Sequence, residues 1–141
     1  MGDLSLSLSI AAVGSALGTG YAGMAAIGAW KKAFAQNKVA PFILIAFVGA
    51  PLTQTIYGMI LRGSILSAGD EFTSMATGFK VLFGAVAGLA MAASATMQGK
   101  AGAKAADALA ETGKGFGNYI IVVGIVETVA LFVMVFCMTA L

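Results

Sequence analysis

A chain of 141 residues that is 60% hydrophobic, carries only eight basic and six acidic side chains, and has a mean hydropathy of +0.96 does not suit a water-facing surface. Its net charge of +2 is small and dispersed, so nucleic acid is not an expected partner. One cysteine, Cys137, excludes an internal disulfide and is expected to pack as a small apolar side chain.

Four apolar runs follow in chain order, and each meets the roughly 20-residue requirement of a membrane-spanning helix. The first, residues 4–30, has no positive residue before it and exceeds a signal-peptide core, so it is expected to be retained as a helix. Gly14, Gly18, Ala22 and Ala25 recur along it every three or four positions, a spacing that lays a flat stripe on one helix face and lets a neighbouring backbone approach. Lys31, Lys32 and Lys38 come next, with a turn near Asn37 to Pro41. The second run, residues 39–61, holds Pro51, Thr53, Gln54 and Tyr57. Proline has no backbone N–H, which frees the carbonyl four residues earlier and leaves neighbouring carbonyls such as that of Ala50 available.

The connection from Arg62 to Lys80 carries Asp70 and Glu71, and residues 71–80 are compatible with a short interfacial helix. The third run, residues 81–99, repeats the small-residue stripe with Gly84, Gly88, Ala92 and Ala95 and holds Gln98 next to its end. Lys100, Lys104 and Lys114 follow, against Asp107 and Glu111. Lysine excess marks 31–38 and 100–114 as cytoplasmic loops, so both termini, with Asp3, Asp70 and Glu71, are expected outside. Trp30 and Tyr119 read as interfacial anchors.

The fourth run, residues 115–141, is uncharged except for Glu127. A carboxylate at bilayer depth costs at least ~2.5 to 3.5 kcal/mol on insertion scales, which makes it a functional-site candidate whose partners should be sought. Gln98 and Glu127 are 29 residues apart, so a turn near Gly113 places both at equal height, about 14 residues or roughly 21 Å from the hairpin tip. Thr53 and Gln54 reach a similar depth from the first turn, and Tyr57 lies one turn beyond Thr53 on the same face. The result is an oxygen-rich cluster with one negative charge, suited to a hard monovalent cation: sodium beside a single carboxylate leaves the complex neutral, and a proton needs fewer ligands. A membrane threonine often bonds back to its own helix and a lone glutamine often bridges helices, so none of the uncharged members carries this reading alone.

Placing Gln54 over Glu127 aligns the two halves at an offset of 73 residues, giving a duplicated helical hairpin with halves 1–68 and 69–141, the second carrying the acid. Two small-residue stripes in tandem favour a tightly packed inner layer, as in a closed homo-oligomeric ring. The expected class is therefore all-α, with four transmembrane helices in two hairpins.

These residues resemble the proteolipid subunit of the membrane rotor ring in V-type rotary ATPases, called subunit K in bacteria, in its four-helix form. The resemblance rests on Pro51-Leu52-Thr53-Gln54-Thr55-Ile56-Tyr57-Gly58, on Gln98-Gly99-Lys100 and on Val126-Glu127-Thr128, with the less specific Gly14-Ser15-Ala16-Leu17-Gly18. It implies sodium ligation by Thr53, Gln54, Gln98, Glu127 and a backbone carbonyl near Ala50, with Tyr57 hydrogen-bonded to the glutamate. It also implies a ring that turns past a stator subunit bearing an arginine, contacts central-stalk subunits at the cytoplasmic loops, and leaves ATP chemistry to the soluble head. The chain has no phosphate-binding glycine loop, so no nucleotide chemistry is expected of it. The compact form suits a prokaryotic plasma membrane. A proton-coupled ring of the same family is the nearest alternative. A small multidrug exporter is a weaker one, because its acid belongs on the first helix, which here has none. A purely structural four-helix scaffold has no use for Glu127.

Overall fold

The computed structural model describes residues 2–141; Met1, at the start of the first expected hairpin, lies outside them. Five helical segments follow one another: α1 (Leu6–Ala35), α2 (Phe42–Leu66), α3 (Asp70–Ser74), α4 (Thr77–Thr112) and α5 (Phe116–Met138). All but the short α3 are long and apolar enough to cross a bilayer, and the chain is an integral membrane protein. Helices are the open-ended solution there, because each satisfies its own backbone groups where no water can.

The small-residue stripes of α1 and α4 face each other. A β-carbon on Gly14 would strike the backbone of Ala92, and one on Gly99 would strike the backbone of Gly18, so the two helices run parallel with their main chains almost touching. Helix α2 returns antiparallel to α1: Gly18 lies beside Pro51, and Gly58 beside Ser7 and Ala11. Helix α5 returns along α4 and α2.

The turns are short. Gly113 (φ 65°) and Gly115 (φ 89°) both take the left-handed conformation between α4 and α5, where a β-carbon is strained, and this fixes the reversal where the spacing predicted it. In the first hairpin Trp30 Nε1 donates to the Pro41 carbonyl at 2.8 Å, tying α1 to the start of α2.

The apolar core divides into two clusters. One gathers Ala11, Leu61, Ile65, Phe72, Met91, Ala130 and Met134; the other gathers Ala26, Leu44, Phe47, Ala105, Ala106, Leu109 and Val123. On α2, α4 and α5 the segments between the two clusters hold Gln54, Gln98 and Glu127, so the polar side chains sit sandwiched between apolar layers.

Two expectations need correction. Segments 31–38 and 100–114 are mostly helix, not loop: α1 continues to Ala35 and α4 to Thr112, leaving true turns only at 36–41 and 113–115. The reason is packing, since Gly102, Ala105, Ala106 and Leu109 form a buried face while Lys104 and Glu111 point away. The span 71–80 is not one helix but α3, a break at Met75 and Ala76, and the start of α4. Asp3 is fully buried against Gly84 and accepts the Ser5 and Ser7 amides at 2.9 and 2.8 Å, satisfying donors that the first turn of α1 leaves free.

Candidate functional site

The site begins with the interruption of α2. Around Pro51 the helix tightens into a 3-10 turn over Ala50–Leu52, then resumes at Thr53. This re-aims the main chain just before the polar residues. The Thr53 hydroxyl is 3.0 Å from the Ala50 carbonyl and 3.2 Å from Gln54 Oε1, so three oxygens from one turn of α2 gather in a single cluster.

Gln54 reaches across to α4, where its Nε2 donates to Gln98 Oε1 at 2.8 Å. Gln98 Nε2 donates in turn to Glu127 Oε2 at 3.0 Å and to the Val123 carbonyl at 3.1 Å. From the other side the Tyr57 hydroxyl donates to Glu127 Oε1 at 2.7 Å. Both carboxylate oxygens therefore have a donor, as a charge at this depth requires. Gln54 and Gln98 are fully buried, whereas Thr53, Tyr57 and Glu127 are half-buried and lie toward the outside of the four-helix unit.

The structure brings together every residue that the sequence singles out: Ala50, Thr53, Gln54, Tyr57, Gln98 and Glu127. All come from one chain. One detail differs from the expected ligand set. Gln98 directs its nitrogen toward Glu127, while its oxygen accepts from Gln54. An amide can hold only one end toward the carboxyl group at a time, and here the donor end faces Glu127 Oε2.

The sequence reading missed Ser94. Its hydroxyl donates to the Val126 carbonyl at 2.9 Å, bonding α4 to α5 beside the acid. The signal was present, because Ser94 lies four residues before Gln98 and so on the same helix face. Other polar residues stay apart from the cluster. Thr128 is exposed and bonds back to Ile125 in its own helix, and Cys137 is half-buried in an apolar groove with Phe83, Phe132 and Phe136. Lys100, expected in a loop, lies within α4 only two residues past Gln98, its ammonium 5.4 Å from the Tyr21 ring centre.

At offset 73, Gln54 stands opposite Glu127, Ala25 opposite Gln98, Val126 opposite Thr53 and Ala130 opposite Tyr57. The pseudo-equivalent set, Gln54 with Ala25, Val126 and Ala130, therefore has no acid at the place of Glu127 and none of its partners, and one chain carries one such cluster.

Comparison with curated proteins gives no match. Residues 81–140, which hold most of α4, all of α5 and both Gln98 and Glu127, match the family model of the ATP synthase C-subunit, a family of non-catalytic helical hairpins that form rings, and the second hairpin is similar to that family.

Proposed function

We propose that this chain is a rotor-ring subunit of a V-type rotary ATPase, of the four-helix subunit K kind, and that it carries one sodium ion per copy at Glu127. The observation that carries the reading is the convergence of Ala50, Thr53, Gln54, Gln98 and Tyr57 on the only carboxylate of the fourth span, inside the hairpin that is similar to the ATP synthase ring family.

The chemistry of the donor set favours a cation. The Ala50 carbonyl, Thr53 hydroxyl, Gln54 Oε1 and a Glu127 oxygen are hard ligands, and one carboxylate leaves a monovalent complex neutral. The last torsion of a glutamine is broad and roughly two-fold, so Gln98 turns its oxygen toward an arriving ion at little cost. Tyr57 keeps its bond to Glu127 and holds the carboxylate in the ligating direction. Release exposes the charge again, and an arginine on a stator subunit is the partner suited to meet it during rotation.

Copies of the chain close into a homo-oligomeric ring, with α1 and α4 as the crowded inner layer and α2 and α5 outside. The half-buried face of Glu127 then points toward the rim where a stator passes. The tips at 36–41 and 113–115 offer contacts to the central stalk on the cytoplasmic side, both termini lie outside, and ATP is handled by the soluble head. Sodium dependence of ATP hydrolysis by the assembled complex tests this reading. Stimulation by millimolar sodium is expected, and hydrolysis that responds to pH but not to sodium would assign the ring to protons.

A further inference from the structure

We propose that Ser94 is a positioning residue for Glu127, acting through α5. This rests on the ion-carrying reading of Glu127.

Helix α5 has little else to set its rotation. Nearly every side chain on it is apolar, and it buries only Val123, Ala130 and Met134 among the described residues. In lipid the hydrophobic effect does little to choose which apolar face of a helix meets its neighbours, and turning α5 by one residue, roughly 100°, would carry Glu127 away from Gln98. Polar rungs must supply the azimuth. Gln98 provides one, through the Val123 carbonyl and the carboxylate itself. Tyr57 on α2 provides a second at the other carboxylate oxygen, and Ser94, one turn earlier on α4 than Gln98, provides a third through the carbonyl of Val126, the residue next to Glu127.

The bond of Ser94 is unusual in this molecule. In the spans, Thr19, Ser64, Thr96 and Thr128 all bond back to carbonyls of their own helix, the common behaviour of membrane hydroxyls. Among the described residues, Ser94 is the one serine or threonine whose hydroxyl donates to the backbone of a different helix. It is 6% exposed, so its hydroxyl is largely shielded. At offset 73 its counterpart is Tyr21, and that of Gln98 is Ala25, so the pair of rungs from α4 exists only in the half that bears the acid.

The test uses purified rings of wild type, Ser94→Ala, Ser94→Thr and Glu127→Gln, read by sodium-22 binding and by the rate of carbodiimide labelling at Glu127 without sodium. Ser94→Ala should lower sodium affinity by about threefold to tenfold, ~0.65 to ~1.4 kcal/mol, and speed labelling as the carboxylate swings from its partners. Ser94→Thr should restore both. Wild-type affinity and labelling rate in Ser94→Ala overturn the inference while leaving the ion-carrying reading intact. If wild type itself binds no sodium, that reading fails on the cation, and the labelling rate alone decides Ser94: faster in Ala and normal in Thr upholds it, unchanged overturns it. If Ser94→Ala rings do not assemble, Ser94→Cys takes their place, and a threonine variant no better than the cysteine variant overturns the role.

Discussion

Replacing Gln98 with leucine removes the centre of the hydrogen-bond ladder with little change in volume. Three bonds disappear: from Gln54 at 2.8 Å, to Glu127 at 3.0 Å and to Val123 at 3.1 Å. Interhelical bonds in membranes average ~0.6 kcal/mol and reach ~1.7 kcal/mol, so with the carboxylate bond at the upper end the variant should lose about 2 to 3 kcal/mol of local stability. Sodium affinity should fall at least tenfold, ~1.4 kcal/mol, because a desolvated cation loses a ligand and Glu127 loses its orientation. A protonated Glu127 suffers less, being neutral and still bonded to Tyr57. Sodium-22 occlusion in purified rings, alongside their thermal stability in detergent, separates the two effects. A variant that is less stable yet binds sodium as well as wild type would make Gln98 a structural bridge and refute the cation cage.

Tyr57→Phe deletes the 2.7 Å bond to Glu127 and should weaken sodium binding several-fold in rings that still assemble, measured by the same isotope assay; unchanged binding would remove Tyr57 from the site. Gly99→Ala places a methyl group on the backbone of Gly18 and should destabilise the ring by about 1 to 3 kcal/mol, whereas Gly28→Ala, with open space at that position, should be neutral or stabilising by up to ~1 kcal/mol. Thermal dissociation of the two variants followed by native mass spectrometry checks the contrast, and equal effects would mean that close approach of α1 and α4 does not hold the unit together. Trp30→Phe loses the 2.8 Å bond to the Pro41 carbonyl and should cost about 0.5 to 1.5 kcal/mol, visible as faster proteolysis at the 36–41 turn; wild-type resistance would show that the bond does not brace the turn.

Much of this arrangement was legible because the membrane makes sequence explicit. Glu127 stands out only against an uncharged run, and the equal depth of Gln98 follows from counting residues to a turn near Gly113. Other features turned on which of two local forces wins. Lysine content alone marked 100–114 as loop, but the face made by Gly102, Ala105, Ala106 and Leu109 had the helical period, and packing prevailed over charge. Asp3 was read by its charge, although an acid just before two serines at a helix start is also a capping pattern. The direction of the Gln98 amide was not readable at all, because oxygen and nitrogen ends are equivalent in sequence and only the facing carboxylate chooses between them. Ser94 fell between these cases: its register with Gln98 was visible, but the carbonyl it bonds belongs to a backbone whose rotation no residue pattern states.

That Glu127 is the ion carrier is open to direct chemical test in the assembled complex. A hydrophobic carbodiimide reacts with protonated carboxyl groups in apolar surroundings, so it should label Glu127 alone, arrest coupled ATP hydrolysis, and be held off by millimolar sodium. Labelling that falls on Asp3, Asp70, Glu71 or Glu111 instead, with Glu127 unmodified, would contradict the assignment.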